Sequence, residues 1–521
     1  MVAAEGAVRR RIRVTGTVQG VGFRPFVYRH ATRLGLRGWV QNDSAGVLIE
    51  VEGDAPAVDE VTRLLTDEPP PLARVGNVST ESVPVAGDAA FAILDSGHDG
   101  EPTAPVSVDT ATCAACLAEV DDPADRRFRY PFTNCTDCGP RYTIVRSVPY
   151  DRPGTTMAGF TMCPACQAEY DDPADRRFHA QPNACPECGP RLRWSLSGAE
   201  GDAALDATVA ALRSGAVVAV KGIGGFHLAC RAGDERAVAA LRSRKHREAK
   251  PFALMVGSIE AARELVEMGQ LEEALLTGRA RPIVLCLRRA GVPVAQEVVP
   301  RSRELGVMLP YSPVHHLLLA DVDAPLVMTS GNLSDEPIAY DDADALHRLA
   351  GVADLFLQHD RPIQTRTDDS VFRVVATGRG RRALPLRRSR GYVPEGLELP
   401  VEAPPLLACG AELKSTFCLA KGRRAWIGHH IGDLKNYETL CAYREGIGHF
   451  ERLFAVEPEV VAHDLHPDYL STAYALERAG VELVAVQHHH AHLAACLAEH
   501  GEAGPAVGAI FDGSGFGPDG T

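Results

Sequence analysis

A duplicated block of cysteines constrains this chain more than any other feature. Cys113-Ala-Ala-Cys116-Leu-Ala-Glu-Val-Asp-Asp-Pro-Ala-Asp-Arg-Arg-Phe128 returns 50 residues later as Cys163-Pro-Ala-Cys166-Gln-Ala-Glu-Tyr-Asp-Asp-Pro-Ala-Asp-Arg-Arg-Phe178. Each copy closes with a second pair, Cys135/Cys138 and Cys185/Cys188, followed by Gly-Pro-Arg. Thiolates at this spacing clamp one face of a tetrahedral ion, and two such pairs complete a closed zinc site. Each copy holds two complete pairs, so the simplest reading is one structural Zn2+ per repeat; pairing of cysteine pairs across the repeats stays open. Four sulfur ligands leave no open position, which excludes a catalytic role for either ion. A disulfide framework would need an oxidising compartment. The first ten residues lack the apolar stretch of a secretory leader, and no run of about 18 apolar residues occurs, so a cytoplasmic protein with no membrane partner is expected. Cys230, Cys286, Cys409, Cys418, Cys441 and Cys496 lie scattered in apolar segments and read as core residues. With 54 Lys plus Arg against 68 Asp plus Glu, the formal charge is -14. A general nucleic-acid binder needs a cationic surface, so no nucleic-acid partner is expected.

The segments on either side are of different kinds. Residues 8–96 read as a small α+β unit of ferredoxin-like βαββαβ order. Its strands are Arg10 to Val18, Gly38 to Gln41, Val47 to Val51 and a last one ending near Leu94. Its helices run from about Phe23 to Leu34 and from about Pro56 to Leu65. A linker, Ser96 to Pro102, leads to the cysteine unit, 109–192. Residues 200–392 alternate helices with apolar strands such as Ala216 to Val220, Pro282 to Cys286 and Leu326 to Met328, an α/β pattern. A proline-rich break at Pro400 to Pro405 opens the last unit, 404–521. That unit has strand-like runs at Leu406 to Cys409, Val460 to His463, Leu483 to Val486 and Ala506 to Phe511. A strand, a glycine-rich turn and nothing after it make half a domain, so only the N-terminal part of this unit is expected.

Three constellations carry chemistry. The first is Gly16-Thr-Val-Gln-Gly-Val-Gly-Phe-Arg-Pro25, between a strand and a helix. The backbone N–H groups of Gln19, Gly20, Val21, Gly22 and Phe23 can curl into an anion nest at a helix N-terminus. Arg24 adds a planar fork matched to phosphate oxygens, and Asn42 at the next turn can hold a water in line with phosphorus. Alone, such a loop is a tight turn with a surface arginine; here it sits on a matching βαββαβ pattern. It closely resembles the acylphosphatases, where the arginine binds phosphate and the asparagine orients the attacking water. The second comprises Lys245-His-Arg247-Glu-Ala-Lys250, Thr329-Ser330-Gly-Asn332 and Arg387-Arg-Ser389-Arg390. Singly these are a solvated helix end and ordinary turns. Together they supply cations, a hydroxyl and an amide able to hold a nucleotide triphosphate. They resemble the YrdC family, whose domains bind ATP and join a carbamoyl-type carboxylate to AMP. Lys221-Gly-Ile-Gly-Gly-Phe-His-Leu228 stands at that family's substrate loop and departs from its usual threonine and tyrosine version. The third is Val486-Gln-His488-His-His-Ala-His492. Its i, i+4 histidines share a helical face, and Asp512, at the end of the expected next strand, would be a carboxylate ligand for Zn2+ or Fe2+. With Gly410 to Leu419, His430-Ile-Gly-Asp-Leu434 and Asp512 to Gly517 it resembles the metal-dependent carbamoyltransferases of the actin-like superfold.

This order of units resembles one family, HypF, the carbamoyltransferases of nickel–iron hydrogenase maturation. The resemblance implies a multidomain α+β and α/β fold: an acylphosphatase domain, two zinc repeats, a YrdC-like domain and the start of an actin-like transferase domain. It implies a relay in which carbamoyl phosphate is hydrolysed at Arg24/Asn42. The carbamate is then joined to ATP, with Mg2+, as carbamoyl adenylate, with release of pyrophosphate. The carbamoyl group finally passes to the C-terminal cysteine of a HypE-type partner. The first two steps are expected of this chain and the third is not, with the zinc repeats as a spacer. Three rivals stand beside it: a small-molecule O-carbamoyltransferase, which would not need the first two units; a tRNA threonylcarbamoylation enzyme, which would show a basic surface; and a non-catalytic zinc-repeat scaffold.

Overall fold

The computed structural model describes residues 7–43, 45–97, 106–334, 336–513 and 515–520, so most of the expected linker, 98–102, lies outside the described residues. Alternation drives the first unit. In β1 (Ala7–Thr17), Ile12 and Val14 are buried while Arg11 faces solvent, the period-2 pattern of a half-covered sheet. With α1 (Phe23–Arg33), β2 (Arg37–Asp43), β3 (Gly46–Asp54), α2 (Ala55–Asp67) and β4 (Arg74–Val83) it forms the ferredoxin-like order β4-β1-β3-β2. The expected last strand near Leu94 is not the closing one. β4 takes that place against β1, and a short β5 (Phe91–Ile93) is added parallel to β2 at the other edge. The reason is exposure: β4 turns mostly polar residues outward and has little apolar signal, whereas Phe91 is buried.

The cysteine unit folds as two short helices, Ala114–Asp121 and Pro164–Asp171, which start directly after Cys113 and Cys163. Cys116 and Cys166 therefore fall within the first turn, facing the second pair of the same repeat. Sulfur separations are 3.7 Å (Cys113–Cys135), 3.9 Å (Cys135–Cys138) and 3.5 Å (Cys138–Cys116). In the other repeat they are 3.7, 3.8 and 3.6 Å. Zinc–sulfur bonds of about 2.3 Å place tetrahedral sulfurs about 3.8 Å apart, so both clusters have the size of a zinc site. The pairing is within each repeat.

The repeats are nevertheless interlocked. Arg126 Nη2 donates to Cys166 Sγ at 3.0 Å, and Arg176 Nη1 donates to Cys116 Sγ at 3.1 Å. Glu169 takes Arg126 and Arg127 across the pseudo-twofold, and Glu119 takes Arg176 and Arg177. Each cluster thus receives its counter-charge from the other copy.

Side chains of this unit also enter the cores of its neighbours. Val120, Tyr130, Phe132, Ile144 and Met157 share one core with the α/β unit. Val106, Tyr142, Val145 and Tyr150 share another with the last unit. It is more than a spacer: three other units are built against it. The α/β unit is a mixed sheet whose end strand, Leu192–Trp194, follows directly on Cys188-Gly-Pro-Arg191 and pairs with Leu355–His359.

The last unit is a four-stranded sheet of Cys418–Ile427, Leu397–Ala408, Val460–Asp464 and Glu482–Val486, in that order. The prolines at 400, 404 and 405 lie inside Leu397–Ala408 instead of breaking it. Its register to Cys418–Ile427 shifts twice there, and its other edge is paired only from Leu406. Proline lacks an N–H, and bulged, singly paired positions tolerate that. Ala506 to Phe511, expected as a strand, joins no ladder, and Val507 and Phe511 are fully exposed. Among the described residues no helix is long and apolar enough to cross a membrane.

Removing Arg126 should act on the opposite repeat. In Arg126→Ala, the Cys163/Cys166/Cys185/Cys188 site should yield its zinc to a competing chelator about tenfold more readily, the scale of an outer-shell contact, while the other site is unchanged. Two-phase chelator kinetics would show one accelerated phase.

Candidate active sites

The loop before α1 is shaped for an anion. Gly20 and Gly22 hold φ of +69° and +75°, backbone that side chains rarely adopt. Among the described residues the N–H groups of Gly20 to Phe23 donate to no protein acceptor. Val21 and Phe23 are core residues, so they face this nest only through their backbone. Gln19 braces it: Nε2 donates to the carbonyls of Asp43 and Gly46 at 2.7 and 2.8 Å, at the turn beside Asn42. Arg24 is buried, with Nη2 on Asp151 at 3.0 Å and Nη1 on Ser96 at 3.2 Å. Oriented to satisfy its neighbours, the Asn42 amide oxygen accepts from Nε and Nη2 of Arg24 at 3.2 and 3.3 Å. Arg24 and Asn42 therefore share one small cavity.

Half of that cavity belongs to the zinc repeats: Thr136, Arg141, Tyr150, His179 and Gln181 line it. Arg141 Nε donates to Gly20 O at 2.7 Å, while its other nitrogens hold the carbonyls of Cys135, Thr136, Cys138 and Pro140. A Cβ on Gly20 would meet the Tyr150 ring at 3.0 Å, and one on Gly22 would meet Thr136 at 3.2 Å. Burial, then the charge of Arg24, holds the His179 imidazole down to about 4, so it is neutral at neutral pH.

The second site is a large cleft between the α/β unit and the last unit. Lys245 caps the helix Glu235–Arg244, and its Nζ donates to the backbone oxygens of Ser330 (2.7 Å) and Asn332 (2.5 Å) and to the Asn332 amide oxygen. Ser330 Oγ donates to that same amide oxygen at 2.8 Å. Burial, with the charge of Arg247 next, lowers the Lys245 ammonium to about 7. Arg247 and Lys250 line the cleft with Arg387, and across it stand Lys414 and His430 of the last unit.

Two expected nucleotide residues are not on this wall. Ser389 and Arg390 are buried behind it. Arg390 is spent on Asp369 at 2.8 Å and on the carbonyls of Ala280 and Arg281, and it stacks on Tyr311. Its effect on the cleft is indirect. Burial alone would raise the Asp369 carboxyl, but the Arg390 charge and the His227 bond hold it well below the usual range. Asp369 in turn fixes His227 at 3.0 Å, on the cleft wall.

The third cluster assembles as expected from His488, His492 and Asp512. Both Nε2 atoms lie 2.8 Å from Asp512 Oδ2. Asp512 reaches them from unpaired chain, since the strand expected before it is absent. Asp464 holds His488 Nδ1 at 2.7 Å, which fixes the tautomer and turns Nε2 inward, as carboxylates behind metal-binding histidines do. Two imidazole nitrogens and a carboxylate suit Zn2+ or Fe2+.

Family models match the chain in the same order: Acylphosphatase over 10–93, HypF finger over 112–145 and 162–195, Sua5/YciO/YrdC (telomere recombination) over 210–389, and the HypF Kae1-like domain over 401–499. Carbamoyltransferase HypF of Rhodobacter capsulatus is 49% identical, over 98% of this chain and 69% of its own length. The chain belongs to the HypF family. Carbamoyltransferase HypF2 of Cupriavidus necator is 50% identical over 98% of this chain and 66% of its own length, so the chain spans about two thirds of these HypF relatives. A full-length HypF crystal structure in a phosphate- and nucleotide-bound form superimposes with a TM-score of 0.95 at 46% identity, covering 99% of this chain and 67% of that one.

For a HypF chain, the sequence reading missed Asp151, His179, Arg141, Asp369 and Asp464. One signal existed. At the 50-residue offset His179 stands for Arg129 and Gln181 for Pro131, and both substituted side chains line the Arg24 cavity.

Lys245 sets a pH dependence for this HypF cleft. A free ammonium lowered to about 7 is half protonated at that pH, and bound phosphates would favour the charged form, so ATP binding in this cleft would take up a proton. Affinity for ATP should fall as pH rises from 7 to 9, by at most about tenfold per unit. Calorimetry in two buffers of different ionisation enthalpy should show the uptake, and Lys245→Met should abolish it.

Proposed function

We propose that this chain, divided as 8–96, 109–192, 200–392 and 404–521, hydrolyses carbamoyl phosphate and activates the carbamate with ATP. Its last unit would prepare the carbamoyl group for transfer to the C-terminal cysteine of a HypE-type partner. The observation that carries this reading is that the acyl-phosphate cavity and the nucleotide cleft are both walled by neighbouring units, so neither is an independent domain's site.

In the first cavity the free N–H groups of Gly20 to Phe23 and the fork of Arg24 bind the phosphoryl oxygens. The Asn42 amide orients water for attack on phosphorus, the phosphorus–oxygen bond to the acyl group breaks, and carbamate leaves with inorganic phosphate. Carbamate decomposes in water, which favours walls that exclude solvent. In the cleft, a carbamate oxygen attacks the α-phosphorus of ATP and pyrophosphate leaves. Lys245, Arg247, Lys250 and Arg387 offset the developing charge, with Mg2+ on the phosphates. Ser330 and Asn332 position Lys245, and Ser389 and Arg390 support the wall from behind. His488, His492 and Asp512 would hold Fe2+ or Zn2+, which when bound supplies a Lewis acid for polarising an oxygen of the carbamoyl donor. Asp464 keeps His488 in the ligating tautomer.

The test measures AMP and pyrophosphate release from ATP with and without carbamoyl phosphate. Release should require carbamoyl phosphate, Arg24→Ala should lower it at least a hundredfold, and added free carbamate should restore the variant. Release that instead requires threonine and bicarbonate would overturn the reading.

A further inference from the structure

A third cavity lies between the zinc repeats and the α/β unit, apart from the sites described above. It is small and partly open, lined by Thr133, Lys221, Tyr311, His359 and Arg361 among others. Arg361 follows the strand Leu355–His359 and is 5% exposed. Its guanidinium lies 5.1 Å from the Phe132 ring centre. Among the described residues it makes no hydrogen bond through its side chain and no ion pair.

The nearest acids act on Arg361 only through space: neither forms an ion pair with it, and Asp109 Oδ2 is itself buried without a partner. Asp109 accepts from the Arg141 N–H and from Thr143, and Asp360 accepts from the Arg191 N–H. The other cation, Lys221, is already neutralised by Asp342 at 2.7 Å and donates to the His359 carbonyl at 2.9 Å. His359 Nδ1 is buried without a partner. Burial lowers the guanidinium to about 10, which leaves it charged at neutral pH. A buried cation with no directly paired acid is unfavourable by itself, and an anion in the cavity relieves it.

Size and position define that anion. A cavity of this size excludes a nucleotide, and one fork of donors matches one carboxylate. One wall is the 131–140 loop of the first zinc repeat, which also carries Thr136 on the acyl-phosphate cavity. The opposite wall is Lys221 to Ile223, the turn leading into the strand that places His227 on the nucleotide cleft.

We propose that Arg361 is a binding station for a small planar carboxylate, carbamate in the reading above, held between its release and its adenylation. The proposal rests on that reading for the identity of the anion, but not for the existence of the site. The Tyr311 hydroxyl lines the cavity beside Arg361. Thr133 Oγ1, which donates to the Tyr130 carbonyl, and His359 Nδ1, whose Nε2–H faces the Gly222 carbonyl, are acceptors that suit the N–H groups of carbamate. A single unpaired cation binds a monoanion without trapping it. Bicarbonate shares this chemistry and differs in source, arriving from solution instead of from carbamoyl phosphate.

The test uses Arg361→Met, which keeps the stem over Phe132 without the charge, and Arg361→Lys, each checked for two zinc ions per chain. Phosphate and AMP are measured together from carbamoyl phosphate and ATP. Arg361→Met should release phosphate within twofold of wild type while AMP per phosphate falls at least tenfold, and Arg361→Lys should recover part of the loss. An unchanged ratio in Arg361→Met, or equal loss of both products, overturns the station. AMP release driven equally well by bicarbonate alone overturns carbamate as its ligand. Wild type without carbamoyl-phosphate-dependent AMP would sink the functional reading instead. The site is then tested by line broadening of 13C-formate, with inorganic phosphate and AMP filling the other cavities. Broadening present in wild type and lost in Arg361→Met supports the station; broadening that persists in the variant, or is absent from wild type, overturns it.

Discussion

Two tetrahedra of cysteine sulfur, each neutralised from the opposite repeat, are the interaction on which the rest of this molecule depends. A zinc ion with four thiolates carries a net charge of about -2, which a buried module must offset. Arg126 and Arg176 do so reciprocally, with Glu169 and Glu119 locking the fork of each arginine pair. Neither repeat completes its electrostatics alone. The result is a rigid block without a large core of its own, whose outward side chains are free to join the cores on either side.

That block explains where the Arg24 cavity sits. A phosphate nest and a water-orienting asparagine are sufficient for an open acylphosphatase-type site. Here Arg141 grips the Gly20 carbonyl, and Tyr150 and Thr136 press on the two glycines. The nest is closed by a surface that only the zinc repeats supply. The same block places Phe132 against Arg361, whereas the Lys245 cleft is walled by Lys414 and His430 of the last unit. Lys245 and Arg361 are moved out of water, which strengthens their hold on an anion and lowers their own pKa.

Much of this was legible in the residues. The cysteine spacing implied two zinc repeats, and the glycine loop with Arg24 and Asn42 implied one phosphate site. The i, i+4 histidines implied a shared face. What was misread has specific causes. β4 is exposed and lacks an apolar pattern, so the closing strand was placed one element too late. Prolines 400 to 405 looked like a break because a sequence does not show which strand edges stay unpaired. Ser389 and Arg390 were assigned to the nucleotide because Arg387-Arg-Ser-Arg390 resembles the closing motif of the YrdC family, whereas the fold buries both behind the cleft wall, with Arg390 on Asp369 and two carbonyls.

What the sequence by itself determined is local: periodicity, metal spacing, turn chemistry and the order of the units. These depend on residues close in the chain, where spacing alone fixes which side chains can meet. Tertiary structure alone decided which residues from distant segments face one another. Asp151 and His179 meet Arg24, Asp464 meets His488, and Arg361 meets the Phe132 ring. The physical reason is that such encounters follow from how rigid units pack, and packing is set by surface shape and shared cores that no short window of sequence contains.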